Sequence, residues 1–157
     1  MRIAYIIPSL YRMAPNRVVQ QLVEGMMARG HECHVFYFDP VTTDAIAFPC
    51  RATRISLLRA TDLTGYDVVH THGLRPNLYV WIHGVPRGVK AVATIHSYVF
   101  EEFRFIYGRG LGWIFGHLFV RTLSRHNRVV TLSRDAVDHY AHWIRPSRLT
   151  YCYNGVE

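Results

Sequence analysis

Residues 2–38 read RIAYIIPSLYRMAPNRVVQQLVEGMMARGHECHVFYF. Arg2–Ile7 is a near-continuous apolar run, the pattern of a strand buried on both faces of a parallel sheet. Asn16 then precedes Val18, Val19, Leu22, Val23 and Met26, which are spaced for one helical face. Asparagine suits an N-cap, and Gly30 stands where such a helix would stop. His31–Phe38 returns to strand. Outward from this unit the alternation continues. A weaker third strand is expected at Thr53–Leu57, after a loop holding Pro40 and Pro49. Further strands are expected at Tyr66–His72, Ala91–Ser97, Arg128–Ser133 and Arg148–Tyr153. Helices are expected near Asn77–Gly84, Arg109–His126 and Arg134–Ile144. Strand–helix alternation over the whole length predicts an α/β fold: a doubly wound, mostly parallel, Rossmann-like sheet with helices on both faces.

The chain has 157 residues, the size of one domain, without repeats or a linker. Half of its residues are hydrophobic and 18% are charged, which excludes a disordered chain and a membrane channel. No apolar run reaches the ~18–20 residues of a spanning helix. The N-terminus lacks the features of a secretory signal and reads as a first strand. Three well-separated cysteines (Cys33, Cys50, Cys152) point to free thiols in a reducing compartment. The formal charge is +7, and Lys90 is the only lysine among 18 basic residues. Arginine suits phosphate through its planar donor fork, so the balance points to anionic partners.

In such a fold, ligands sit at the carboxyl ends of the strands. The candidate segments are therefore Pro8–Asn16, His70–Gly73, His96–Tyr98, Ser133–Arg134 and Asn154–Gly155. The first loop carries neither Gly-x-Gly-x-x-Gly nor a P-loop, which sets aside nicotinamide, flavin and Walker-type nucleotide sites. The helix opening near Asn16 can hold phosphate by its free amides, helped by Arg17 or Arg12; an ordinary capped helix is the bland alternative. His70 and His72 share one strand face. They read as a structural or substrate-contacting pair, with a metal site as the alternative. His96 ends the fifth strand, where it could serve as a hydrogen-bond donor or a general acid or base, or be structural. From Phe103 to Arg134 the chain has no acidic residue. Six arginines are interleaved there with Trp113, Phe115 and Phe119. This fits either a membrane-interface segment or a core helix whose arginines reach solvent. No nucleic-acid module is visible.

Together these pieces resemble the N-terminal half of a GT-B-fold glycosyltransferase of the family 4 type. Arg2–Leu10 resembles the family's opening strand, and Pro15-Asn16-Arg17-Val18-Val19 with Leu22 its helix start. Arg29-Gly30-His31-Glu32-Cys33-His34-Val35 is similar to its turn into the second strand. Tyr66–Gly73 resembles "DVVH.H", Ala93–Ser97 "T.H", Val130–Ser133 "V.A.S", and Tyr153–Glu157 the "NGVD" that closes the first domain.

The resemblance implies that Met1–Glu157 is the acceptor-side domain of a retaining transferase, with the donor-binding domain supplied in cis or in trans. The donor is a nucleotide sugar acting as substrate, and no cofactor or metal is implied. His96 falls on the family histidine that faces the reaction centre. Met13 and Ala14 occupy the diphosphate-facing Gly-Gly position, beside Asn16 and Arg17. Two side chains there imply a reshaped loop or reduced donor contact. His70, His72, Ser97, Tyr98, Glu101, Glu102 and Arg104 fall where acceptor contacts lie, with Tyr107 nearby. Arg109, Trp113, Arg121 and Arg125 are similar to the membrane-docking region of members with lipid-linked acceptors. The implied protein is cytoplasmic, peripheral on the inner face of the cell membrane, and makes a cell-surface glycan or glycolipid. This chain alone would be inactive. Two rival functions remain: a non-catalytic membrane-anchoring subunit of a split transferase, and a metal hydrolase built on His70 and His72.

Overall fold

The computed structural model describes residues 1–40 and 43–154. Seven strands form one sheet: β1 (Arg2–Ser9), β2 (Glu32–Asp39), β3 (Arg51–Arg54), β4 (Val68–His72), β5 (Lys90–Thr94), β6 (Arg128–Thr131) and β7 (Leu149–Tyr151). Their order is β3-β2-β1-β4-β5-β6-β7 and every pairing is parallel. Four helices connect them: α1 (Ala14–Ala28), α2 (Leu74–His83), α3 (Val99–Thr122) and α4 (Arg134–Tyr140). The doubly wound α/β expectation holds.

Alternation along β1 sorts the core. Ile3, Tyr5 and Ile7 pack with Val19 and Val23 of α1 and Val35 of β2. Ala4 and Ile6 point the other way, onto Tyr79 and Val80 of α2 with Phe36 and Val69. A third cluster joins Ala93, Val129 and Leu149 to Phe119 of α3 and Tyr140 of α4. Burying a side chain such as Val19 or Val23 stabilises the fold by about 1.5–3 kcal/mol. The layering is lopsided. α2, α3 and α4 share one face, and α1 alone among the described helices covers the other. Beside α1 lies an open groove of about 540 Å³ along β4–β7, lined by residues such as Leu22, His70, Thr94 and Leu132.

Three differences from the sequence expectation bear on the site, beside shifted ends of β4, β5, α2 and α4. β3 starts two residues early, because an edge strand tolerates exposed Arg51 and Arg54 where the apolar pattern is weak. α1 starts at Ala14 with Met13 as N-cap, so Asn16 lies inside the helix. Fully buried Asn16 instead donates through Nδ2 to the carbonyls of Ser9 (2.9 Å) and Tyr11 (2.7 Å), tying the β1–α1 loop to the helix.

The third difference is α3, expected from Arg109 but beginning at Val99. Glycine weakens helices in general, yet the glycines here do different jobs. Gly108 has φ +79°, ψ 176°, a conformation open to glycine and strained for other residues, and the helix breaks there. The halves, 99–107 and 109–122, fold back against each other. A Cβ on Gly112 would come within 2.5 Å of the Arg104 backbone, and one on Gly116 would strike the Phe100 ring. Phe103 packs edge-on against both Phe115 and Phe119. In a straight helix residues 104 and 112 would stand roughly 12 Å apart. α3 is thus a helical hairpin whose glycines permit close approach.

Candidate functional site

The parallel register aligns Tyr5 with His70, and His72 with Thr94. This brings the ends of β4 and β5 side by side, and the chain leaving β5 carries His96 to the same ledge. His72 is buried, and its Nδ1 lies 2.9 Å from Nε2 of half-buried His96. Nε2 of His70 lies 2.8 Å from Oγ1 of Thr94, and the His70 ring also borders the groove beside α1. The His70 and His72 rings are 4.3 Å apart and the His72 and His96 rings 5.2 Å apart, so the three form one row.

Burial is the main cause of the titration behaviour of this row. It pushes His70 down to about 3, with the neighbouring His96 and His126 adding to the effect. His72 is held well below its ordinary value by burial and then by His70 and His96. Burial lowers His96 too. All three rings are neutral near pH 7. They can therefore donate or accept hydrogen bonds, while proton transfer from an imidazolium is disfavoured.

The tautomer follows from an orphaned atom of this row. Nε2 of His72 is buried with no partner. A bare ring nitrogen is less costly to bury than an unsatisfied N–H, so the His72 proton sits on Nδ1 and is donated to Nε2 of His96. Neutral His96 then carries its own proton on Nδ1. Its half-buried ring presents a fixed N–H donor at the strand-end ledge.

Next to the row is a second buried polar group. Thr71 Oγ1 donates to Oδ1 of Asn77 (2.6 Å) and accepts from Nε2 of His126 (3.0 Å). Burial, then the Arg148 guanidinium, pushes His126 down to about 4. Tyr140 clamps the loop after His96: its hydroxyl donates to the Ser97 carbonyl (2.7 Å) and accepts from the Val99 amide (2.9 Å). Sequence reasoning passed over Thr71, Asn77, His126 and Tyr140. Their spacing is that of ordinary core positions, and only tertiary packing joins them.

Met13 and Ala14 are exposed at the start of α1, and Met13 takes an extended conformation (φ −129°, ψ 160°) that any residue adopts. The preceding loop pairs with a second segment. Tyr11 bridges Ala45, the Arg12 amide donates to the Asp44 carbonyl (3.1 Å), and the Arg12 side chain pairs with Asp44 at 3.0 Å. Arg12 is thereby occupied, while exposed Arg17 has no recorded partner among the described residues. Ser97 hydrogen-bonds Glu102, and the Tyr98 hydroxyl donates to Asp135 at 2.6 Å. Exposed Glu101 and Arg104 line a shallow pocket with Arg109 and Trp113. His72 is too enclosed for ligand contact and reaches the ledge through His96.

Arg109 and Trp113 lie near the hairpin turn. Arg121 and Arg125 lie at the other end of the hairpin, since Arg121 is 12 residues and roughly 18 Å along the helix from Arg109. Among the described residues, no three His, Cys, Asp or Glu side chains gather at metal-ligand spacing. The Asn154–Gly155 segment is described only as far as Asn154; Gly155, Val156 and Glu157 lie outside the described residues.

A family model described as Glycosyltransferase Family 4 matches residues 15–157. An O-antigen biosynthesis glycosyltransferase of Escherichia coli, WclY, is 32% identical over 167 residues, covering all of this chain and 45% of that protein. The chain thus spans about half the length of the curated relatives it matches. Sucrose-phosphate synthase from Thermosynechococcus elongatus superimposes with a TM-score of 0.75 at 16% identity, over 99% of this chain and 48% of that one. An alpha-glucosyltransferase in complex with UDP-glucose and DNA containing an abasic site gives a TM-score of 0.65 at 15% identity, over 98% and 42%. These two likenesses show a shared fold: the sheet is one half of the GT-B architecture. With the family model matching nearly its whole length, this chain belongs to glycosyltransferase family 4.

Proposed function

We propose that this chain is the acceptor-binding half of a retaining glycosyltransferase, which moves a sugar from a nucleotide-sugar donor to a cell-surface glycan or lipid-linked acceptor. The observation that carries it is the His70–His72–His96 row, which ends in a fixed N–H donor on the strand-end ledge of a family 4 domain. Retaining transfer through an ion-pair-like transition state needs the departing diphosphate stabilised and the acceptor hydroxyl held close. His96 orients a donor or acceptor hydroxyl. Exposed Arg17 on the first turn of α1, with the positive end of the helix dipole, supplies charge opposite the departing phosphate. The O-antigen role of the relative supports a polysaccharide product.

The test is a transfer assay. The complete polypeptide is incubated with a panel of radiolabelled nucleotide sugars and membranes from a strain lacking it. Label is expected in the glycan or lipid fraction from one donor, with the donor's anomeric configuration kept. No transfer from any donor overturns the reading, and an inverted anomer overturns the retaining course.

Peripheral membrane contact belongs to the same proposal, and an exposed apolar surface supports it. No helix among the described residues is long and apolar enough to cross a membrane. The turn of the α3 hairpin, however, exposes Phe105 (92%), Ile106, Tyr107, Leu111, Trp113 and Ile114, beside Arg104 and Arg109. Apolar side chains ringed by arginines suit the headgroup boundary of an anionic bilayer. Phe105→Ser/Ile106→Ser is expected to lower cosedimentation with phosphatidylglycerol vesicles about tenfold or more, and Arg121→Glu to change it little. The reverse ranking would move the contact to the far end of the hairpin.

A further inference from the structure

The excess of arginine has a second focus, at the far end of the sheet from the hairpin. A cavity of about 620 Å³ opens at the carboxyl ends of β2 and β3, lined among the described residues by Arg54, Arg59 and Arg75 with Asp39, Thr53 and Thr61. Its apolar lining is half-buried Ile55 and Leu57, while Phe38 is buried beneath Arg75. Arg75 is occupied: both terminal nitrogens bond the Asp39 carboxylate, and the guanidinium lies 5.3 Å from the centre of the Phe38 ring. Arg54 is oriented by a bond from Nε to the Phe38 carbonyl (3.0 Å), which leaves its two terminal nitrogens without recorded partners. The Arg59 side chain has no recorded partner among the described residues. One carboxylate against three guanidiniums leaves two positive charges beside an apolar lining.

We propose that this cavity is a binding subsite for an acidic sugar of the acceptor, with its pyranose ring against Ile55 and Leu57 and its anionic group between Arg54 and Arg59. The volume falls in the range of small-molecule sites, and an apolar base with a few converging polar groups fits a saccharide. The guanidinium fork matches a carboxylate or a phosphate in two parallel bonds. The cavity opens on the same sheet edge as His96. From β2 to β5 is three strand spacings, roughly 15 Å, so one acceptor of several sugars can span both places. The proposal rests on the acceptor-binding reading above and adds that the acceptor carries negative charge at a distance from the reacting hydroxyl.

The experiment is an NMR titration of the complete polypeptide, labelled with nitrogen-15 arginine, at physiological salt. The probes are glucuronate, glucose 6-phosphate, glucose, inorganic phosphate and UDP. Guanidinium Nε–Hε signals are assigned by their loss in single Arg→Gln variants. Glucuronate or glucose 6-phosphate is expected to shift the Arg54 and Arg59 signals saturably, at least tenfold more tightly than glucose or inorganic phosphate. The tighter of the two identifies the group as carboxylate or phosphate. Arg54→Gln/Arg59→Gln is expected to weaken binding tenfold or more. Arg59→Gln alone, which removes no recorded side-chain contact, keeps the test valid should the double variant misfold. The absence of saturable shifts, equal response to inorganic phosphate, or the same shifts with UDP each overturns the subsite. Sugar transfer that proceeds without anion binding overturns the subsite alone. Anion binding without sugar transfer overturns the transferase reading alone.

Discussion

Lowering the pH from 7 to 5 is expected to destabilise this domain by at least about 2 kcal/mol. His72 and His126 are both 2% exposed and held neutral, His126 with its pKa pushed down to about 4 and His72 well below its ordinary value. Unfolding releases them to water, where imidazole titrates near 6.5. Below that pH the unfolded chain binds protons that the folded chain refuses, so stability is full above about pH 6.5 and falls as the pH drops toward the folded values. Between pH 7 and 5 His126 contributes a loss of about 2 kcal/mol, and His72 adds a loss of the same sign. His70, pushed down to about 3, adds to this with the same sign, by a smaller share because its edge opens on the groove. A loss of this size is a large fraction of the stability of a typical small domain, which is of the order of 5–15 kcal/mol. Urea titrations at pH 7, 6 and 5 check it through a falling midpoint at constant slope. A midpoint unchanged over that range would mean that the rings are protonated or solvated in the folded protein.

His96→Ala in the complete polypeptide is expected to reduce turnover about 10²-fold or more. The ring ends the row, with its Nε2 spent on His72 and its Nδ1–H directed at the ledge. Removing it takes away a donor whose direction is fixed before substrate arrives, the property that makes an electrostatic contact effective in a transition state. The substitution also leaves Nδ1 of buried His72 without its partner, a cost of about 1–3 kcal/mol. A lower melting temperature is therefore expected beside the lower rate. The two effects separate at temperatures where the variant is fully folded: kcat stays low there if His96 touches substrate, and recovers if its role is structural. His96→Gln, which keeps a hydrogen-bonding side chain, is expected to regain part of the rate. Wild-type turnover in His96→Ala would reject the assignment.

Strand–helix alternation over the whole length was enough to predict a parallel α/β sheet, because burial on both faces demands near-continuous apolar strands and crossover connections. The spacing of His70 and His72 placed both on one strand face, since side chains alternate with period two. The place of His96 near a strand end was likewise legible. Its tautomer was not, because that depends on a nitrogen of His72, 24 positions away in sequence. The α3 hairpin was hidden for a related reason. Gly108, Gly110, Gly112 and Gly116 look alike in sequence, and only the fold distinguishes a left-handed turn at Gly108 from the contacts of Gly112 with Arg104 and Gly116 with Phe100. Composition showed that arginine predominates, without locating it. The tertiary structure paired Arg12 and Arg75 with nearby carboxylates, and it turned both Arg54 and Arg59, with four loop residues between them, toward one cavity. Local periodicity is a property of neighbours in sequence, so the sequence by itself determined the fold class. Pairing, burial and charge neutralisation depend on long-range contacts, so only the folded chain decided which histidines are neutral and which arginines remain free to meet an anion.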